Sequence, residues 1–146
     1  MPYSITSHDG LPQPEAQIVD EGLGEANDLA APLHEVRPLS CFARDEQGQV
    51  VGGAIGRRWG NCCELQQLWV KPEQRRARVG SRLLQEFEAR GREHGCSVFY
   101  LETFNFQAPS FYASHGYTVA HEHKVYPHGI AKLLMVKQLH QTQGAA

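Results

Sequence analysis

One amphipathic helix set between two strand-like segments constrains the fold of this chain more than any other feature. Between residues 80 and 94, ion pairs four apart cover the solvent side, and Gly95 fits the stop just past the end. The apolar stripe of this helix consists of Val79, Leu83, Leu84 and Phe87. A strand at 62–70 precedes the helix, and residues 97–104, rich in β-branched and aromatic side chains, favour a buried strand after it. We therefore predict a mixed α/β domain around one sheet.

The remaining segments complete one order of elements. A helix is predicted over 14–31 and a shorter one over 105–115, where Pro109 fits only the first turn. The other predicted strands are 39–45 and 50–59, joined by a hairpin at 46–49, and 117–126 and 130–139. We expect a single domain over 1–146, with residues 1–10 and 141–146 frayed.

Size and composition exclude several classes of protein. A chain of 146 residues buries one core without disulfides or metal. Its mean hydropathy is -0.44, and no apolar stretch approaches the ~20 residues of a membrane span. The first ten residues carry no basic region or apolar block, so we expect no secretory leader, a cytoplasmic location and no membrane partner. The four cysteines lack zinc-knuckle or redox spacing and are interpreted as reduced, structural thiols.

Charge is unevenly distributed along the chain. Residues 1–30 contain six acids and no Lys or Arg, whereas residues 71–82 contain five basic side chains against Glu73 alone, a local charge of +4. A focused basic segment in a chain of net charge -2 favours a local anion over general nucleic-acid binding.

The basic residues lie where a strand runs through a turn into a helix, at residues 68–84. The N-terminus of a helix leaves backbone N–H groups unpaired and carries partial positive charge, so a phosphate group binds there. Gly80 permits close approach of the backbone. The segment alone is equally consistent with an ordinary solvated basic turn.

Two motifs resemble the GNAT superfamily of N-acetyltransferases. The family's phosphate loop, Arg/Gln-x-x-Gly-x-Gly/Ala, aligns with residues 75–80, which read Arg-Arg-Ala-Arg-Val-Gly. Residues 105–117 are similar to its later motif, an Asn, a helix carrying Ala, Phe and Tyr, and then Gly and an aromatic residue. The resemblance extends over residues 12–139. It implies a central mixed, mostly antiparallel sheet, splayed in the middle and flanked by helices on both faces.

The chain departs from the family pattern at Arg78, which replaces the first loop glycine. A required positive φ, or close contact with the pyrophosphate, would make Arg unfavourable there and weaken cofactor binding. We expect instead a helical conformation, with the side chain pointing outward and helping to hold phosphate.

The resemblance implies that acetyl-CoA is the acyl donor and assigns residues to it. Leu68, Trp69 and Val70 would lie along the thioester and pantetheine arm, near a bulge, and Asn105 would contact the cofactor from the other side. Backbone N–H groups would hold the pyrophosphate. The loop residues assigned to the cofactor are Arg75, Arg76, Ala77, Arg78, Val79, Gly80 and Ser81.

Direct transfer to an amine requires an acid and a base. In the family's motif Tyr112 corresponds to the acid, since a phenol is protonated at pH 7 and can donate to the departing thiolate. Gln66 and Gln67 occupy the nearest positions to the family's usual Glu and cannot act as bases. Glu64, on the same strand face as Gln66, could act through a water, although a solvated acid is the ordinary interpretation.

We predict an N-acetyltransferase acting on a primary amine of a small molecule or peptide, a small molecule being favoured. The acids of residues 1–30 suggest a cationic acceptor. One alternative is a catalytically weak acetyl-CoA-binding sensor or partner domain, and another is a phosphate or nucleic-acid binder. His115, His121, His123 and His128 are interpreted as surface or pocket residues, and no metal is predicted. Family members often pair through their last strands or helices, so the resemblance allows a homodimer.

Overall fold

A computed structural model describes residues 2–139 and divides them into two compact units, the first ending at Glu35 and the second beginning at Val36. The first unit contains α1 (Gln13–Ala30) and a short 3-10 helix (Leu33–Glu35). The helix predicted over 14–31 is confirmed, although Gly22 and Gly24 weaken its local propensity. The predicted frayed tail, 141–146, lies outside the described residues.

The second unit contains the sheet. Its elements are β1 (Arg37–Arg44), β2 (Val50–Trp59), β3 (Cys62–Val70), a 3-10 helix (Pro72–Ala77), α2 (Val79–Glu93), β4 (Val98–Phe104), α3 (Pro109–Ser114), β5 (Thr118–His123) and β6 (Lys132–Gln138). In residues 2–139 no helix is long and apolar enough to cross a membrane.

The strands form one mixed sheet in the order β1-β2-β3-β4-β6-β5. The β3–β4 pair is parallel, and each of the other described pairs is antiparallel. The parallel pairing ends at Leu65 and Leu101, although β3 continues to Val70 and β4 to Phe104. The two strands therefore separate in the middle of the sheet, as predicted, and the mixed α/β fold is confirmed.

Helix α2 packs against β1, β2 and β3 of the sheet. Most of its predicted stripe is buried, with Leu84 at 0% and Phe87 at 1% exposure, whereas Val79 is half-buried. Gly91 allows the helix to approach β4 closely, because a Cβ atom there would lie 2.7 Å from Phe99 Cε1. The C-terminal end of α2 is thereby held close to the paired part of β3 and β4.

A β-bulge lies at Gln66 of β3, where Ile55 pairs with Gln67 but Gly56 pairs with Leu65. The bulge that the sequence predicts near residues 68–70 is therefore present, slightly earlier. It requires glycine at position 56, since a Cβ atom there would clash with the Glu64 carbonyl oxygen. One extra residue re-aims the side chains that follow it on β3.

A buried carboxylate joins α2 to the last part of the chain. Glu88, 4% exposed, accepts hydrogen bonds from the Tyr117 hydroxyl at 2.8 Å and from Lys137 Nζ at 2.7 Å. Burial, followed by the charge of Glu88, raises the pKa of Tyr117 well above its usual range. The Tyr117 N–H in turn donates to the Tyr112 carbonyl, so this network fixes the end of α3 relative to α2.

Two predicted boundaries differ from the observed ones by more than two residues. α3 begins at Pro109 rather than at residue 105, because the Gln107 side chain accepts from the Phe104 N–H and the Asn105 side chain donates to the distant Gly129 carbonyl oxygen. β5 ends at His123 rather than at 126. The 3-10 helix between β3 and α2, which starts at Pro72, was not predicted.

Candidate functional site

A cleft of about 730 Å³ opens where β3 and β4 separate. One wall is formed by the C-terminal half of β3. The other is formed by the end of β4, the turn after it and α3. The lining residues are Gln66, Gln67, Leu68, Trp69, Val70, Arg75, Glu102, Thr103, Gln107, Ala108, Phe111 and Tyr112. The far half of β3 has no β4 partner, so its backbone on that side can pair with an extended ligand.

The structure brings part of the predicted site together in this cleft. Leu68, Trp69, Val70, Arg75 and Tyr112 all line it. The remaining loop positions, residues 76–81, form the end of the 3-10 helix and the first turn of α2. They lie directly after the cleft wall in the chain.

The start of α2 is suited to an anion. Among residues 2–139 no side chain caps it, so the first N–H groups of the helix can bind water or a ligand. Arg75 Nε donates to the Val70 carbonyl oxygen at 3.0 Å, which ties the basic segment to the cleft wall. The Ser81 hydroxyl and His115 Nε2 are 3.0 Å apart and link the first turn of α2 to the end of α3.

Arg78 does not have the helical conformation expected from the sequence. Its φ is 58° and its ψ 26°, in the left-handed region, and it connects the 3-10 helix to α2. The expectation was wrong because residue 78 lies between the 3-10 helix and α2 rather than within either of them, and its backbone there is left-handed. The glycine of the family pattern has this conformation without strain, whereas Arg does not.

Gly80 is not required by the packing of the protein itself. A Cβ atom there would lie 3.6 Å from Phe111 Cζ and 3.7 Å from Val70 Cγ2, both ordinary contacts. Any need for glycine at this position must therefore come from a ligand.

Tyr112 is half-buried among aromatic rings on α3. Its ring centroid lies 5.2 Å from that of Phe111 and 6.0 Å from that of Tyr117, both edge-on. Burial raises the pKa of Tyr112, so the phenol stays protonated well above neutral pH. A protonated hydroxyl held in a cleft can donate to a developing anion.

The predicted base, Glu64, does not line the cleft. It lies in the paired part of β3, where Arg57 Nε donates to its Oε1 at 2.8 Å. Glu102, which sequence reasoning missed, does line the cleft, at the point where β4 leaves β3. Its carboxylate is half-exposed and 3.6 Å from Lys132 Nζ. No sequence signal distinguished it from other solvated acids, since the splay of the strands decides its position.

Asn105 is placed beside the cleft rather than in its lining. Its side-chain amide donates to the Gly129 carbonyl oxygen at 2.9 Å, and its Oδ1 accepts from the Ala131 N–H at 3.1 Å. The side chain thus secures the turn after β4. Its predicted contact with a cofactor remains a prediction.

The four cysteines and the histidines of β5 lie in different surroundings. The four cysteines are free, and burial raises the pKa of each, that of Cys63 to about 12. Within residues 2–139 no three His, Cys, Asp or Glu side chains are grouped so as to hold a metal ion. His121 and His123 lie on the exposed strand β5, their ring centroids 6.0 Å apart.

Comparison with known proteins finds similar sequences and similar structures. A model of the acetyltransferase (GNAT) family matches residues 10–117. Blasticidin-S acetyltransferase of Streptomyces morookaense is 41% identical over 112 residues, which cover 74% of this chain and 82% of that protein. The crystal structure of an acetyltransferase from Bacillus cereus is 26% identical and superposes with a TM-score of 0.73, covering 92% of this chain and 98% of that one.

A third likeness concerns the fold alone. An aminoglycoside 6'-N-acetyltransferase, solved in complex with coenzyme A, is 18% identical and superposes with a TM-score of 0.64 over 73% of this chain and 75% of its own.

Proposed function

Because this chain belongs to the acetyltransferase (GNAT) family, we propose that it transfers the acetyl group of acetyl-CoA directly to a primary amine of a small molecule. The observation that carries the proposal is the 730 Å³ cleft between β3 and β4, whose lining includes Arg75 of the basic segment that leads into the start of α2. A coenzyme thioester needs this combination of a groove for its arm and an anion site for its diphosphate.

In this proposal the groove holds the arm of the donor and the anion site holds its diphosphate. The backbone of β3 from Gln66 to Val70 pairs with the pantetheine arm, since β4 leaves it unpaired there. The first turn of α2 receives the diphosphate through backbone N–H groups, and arginine side chains add charge. Arg75, already bonded to the Val70 carbonyl oxygen, sits where the arm would meet the diphosphate.

Tyr112 is the proposed acid. When the amine attacks the thioester carbon, the C–S bond breaks and the thiolate takes up a proton, which the Tyr112 hydroxyl supplies. Burial favours this role, because it raises the pKa of Tyr112 and keeps the proton available at working pH. A backbone N–H near the bulge of β3 would stabilise the charge on the thioester oxygen.

Two carboxylates compete for the role of base. Glu102 lines the cleft and can meet the acceptor ammonium directly, so we favour it for binding and deprotonating the amine. Glu64, the candidate from sequence, is held by Arg57 in the paired part of the sheet and would need a bridging water. Replacing each by Gln separates them: Glu102→Gln should reduce kcat/KM for amines about 100-fold, and Glu64→Gln less than threefold.

The proposed acceptor is a small molecule rather than a protein. The relative from Streptomyces morookaense is named for blasticidin-S, and the structural neighbour above for an aminoglycoside. The six acids of residues 1–30 support a cationic acceptor. A cytoplasmic location, a homodimer and the absence of nucleic-acid partners remain predictions, which fractionation, sedimentation and salt-dependent binding assays would test.

Release of free thiol from acetyl-CoA, measured across a panel of amines, tests the function. An acetyltransferase binds acetyl-CoA in calorimetry and releases thiol only when an amine is added. Tyr112→Phe should lower kcat about 100-fold and leave the Kd for acetyl-CoA within twofold. Tyr3→Phe, at an exposed position outside the cleft, is the matched control and should change neither. A domain that binds acetyl-CoA without catalysis would show binding and no thiol release with any amine.

A further inference from the structure

Three aromatic rings stand partly exposed at the end of β4, and we call Phe104, Phe106 and Tyr126 the aromatic shelf. The rings of Phe104 and Phe106 are stacked, with centroids 5.3 Å apart and planes 11° from parallel. Tyr126 meets Phe104 edge-on at 5.7 Å. Phe106 is 65% exposed and Tyr126 38%. Large apolar side chains gathered in solvent often mark a binding surface.

The shelf is built on rigid backbone. Asn105, between the two phenylalanines, bonds through its side chain to Gly129 and Ala131, and its own N–H donates to the Ala131 carbonyl oxygen at 2.9 Å. The turn that carries Tyr126 is thereby tied to the turn that carries Phe106. Rings held in place before a ligand arrives lose little entropy when they bind it.

The shelf adjoins the cleft through Gln107. The side chain of Gln107 lines the cleft, and its Oε1 accepts hydrogen bonds from Thr103 Oγ1 at 3.0 Å and from the Phe104 N–H at 2.8 Å. Phe106 directly precedes Gln107 in the chain. A small molecule whose amine lies in the cleft can therefore reach the shelf with another part.

The charges around the shelf indicate which group it would hold. Lys132 Nζ lies 5.6 Å from the centroid of the Phe104 ring and 3.6 Å from the Glu102 carboxylate. This cation already interacts with Phe104, so a second cation there would be repelled, whereas an uncharged ring would not. Lys132 Nζ contacts the Glu102 carboxylate through Oε2 at 3.6 Å, so the ammonium of the acceptor would be taken by the other oxygen, Oε1.

We propose that the aromatic shelf is an acceptor subsite for a flat, uncharged unsaturated ring, stacked on Phe106, of an amine whose ammonium lies near Glu102. The proposal rests on the proposed function and narrows its substrate class to amines that carry such a ring. The shelf would favour a flat ring over a puckered one, because Phe104 and Phe106 already stack in parallel and a flat ring can stack on Phe106 in the same way.

A matched pair of amines tests the proposal. The pair is 2-phenylethylamine and its saturated counterpart, 2-cyclohexylethylamine, which differ in flatness at equal carbon number. We expect the wild-type protein to have a higher kcat/KM for 2-phenylethylamine. Phe106→Leu should lower that value about fivefold and leave the value for 2-cyclohexylethylamine within twofold. Phe42→Leu, which changes an exposed phenylalanine on the edge strand β1, should alter neither.

Direct binding separates failure of the subsite from failure of the proposed function. Calorimetric titration of 2-phenylethylamine into the protein saturated with CoA should show binding that Phe106→Leu weakens about fivefold. If 2-phenylethylamine binds in this way but no amine causes thiol release, acetyl transfer is contradicted and the subsite is supported. Equal values for the two amines, or an equal loss for both in Phe106→Leu, would overturn the subsite. Concentration-dependent dimerisation that Phe106→Leu abolishes would assign the shelf to a second copy of the chain and also overturn it.

Discussion

Arg78 combines a strained backbone conformation with a positive charge, and replacing it by glycine, with alanine as a control, separates their effects. Arg78 lies in the left-handed region, with φ at 58°, and its side chain is exposed. An L-residue there costs roughly 1–2 kcal/mol relative to right-handed backbone, a cost that glycine does not carry. Glycine loses more chain entropy on folding, by roughly 0.5–1 kcal/mol, which offsets part of the gain. The net expectation is a more stable protein by about 1 kcal/mol.

The matched variant is Arg78→Ala, which removes the same charge but keeps the strain. Arg78→Gly should therefore melt about 3 °C above Arg78→Ala, a shift typical of 1 kcal/mol in a domain of this size. Because both variants lose one cation beside the proposed diphosphate, both should bind acetyl-CoA about fivefold more weakly at low salt, with a smaller loss at high salt.

Thermal and urea unfolding measure the first expectation, and calorimetric titration at two salt concentrations measures the second. If Arg78→Gly is no more stable than Arg78→Ala, the argument from left-handed strain is refuted. If neither variant weakens acetyl-CoA binding, Arg78 contributes no charge to the diphosphate site.

Three further predictions concern single side chains. Gly56→Ala should destabilise the fold by about 2–4 kcal/mol, because its Cβ atom would clash with the Glu64 carbonyl oxygen and lie 2.7 Å from Phe87 Cζ; an unfolding midpoint like that of the wild type would contradict the close approach. Gly80→Ala should leave the melting temperature unchanged or higher, since its Cβ atom meets ordinary contacts only, yet weaken acetyl-CoA binding at least fivefold; unchanged affinity would remove Gly80 from the site. Burial raises the pKa of Cys63 to about 12, so its reactive thiolate is scarce below that pH; iodoacetamide at pH 8 should modify Cys63 in urea and not in the native protein, and rapid native labelling would contradict its burial.

Much of the framework could be predicted from local patterns. The observed limits of β2 and β3 equal the predicted ranges 50–59 and 62–70, and α2 differs from its prediction by one residue at each end. These segments have clear periodicity or turn-forming residues at their ends, so interactions between residues close in sequence determine where they begin and end. α3 was predicted too long because Asn105 and Gln107 are compatible with a helix locally, and distant backbone groups on Gly129 and Ala131 recruit Asn105.

The residues of the candidate site also divide into those that the sequence identified and those that only the structure showed. The strand, basic segment and helix start were identified from contiguous residues, together with Tyr112. Glu102 and Glu64 look alike as acids in the sequence, yet one lines the cleft and the other bonds to Arg57. Their difference arises where β3 and β4 stop pairing, a property of two strands that are far apart in the chain.

The sequence by itself determined the order of the elements, the basic segment before α2 and the helix that carries Tyr112, because each follows from spacing and residue type within a few turns of chain. The tertiary structure decided the left-handed turn at Arg78, the carboxylate that faces the cleft and the gathering of Phe106 and Tyr126 into one surface. Each of these depends on how distant segments constrain one another, through strand register, helix approach and side-chain bonds to remote backbone, and such constraints leave no periodic signal in the chain.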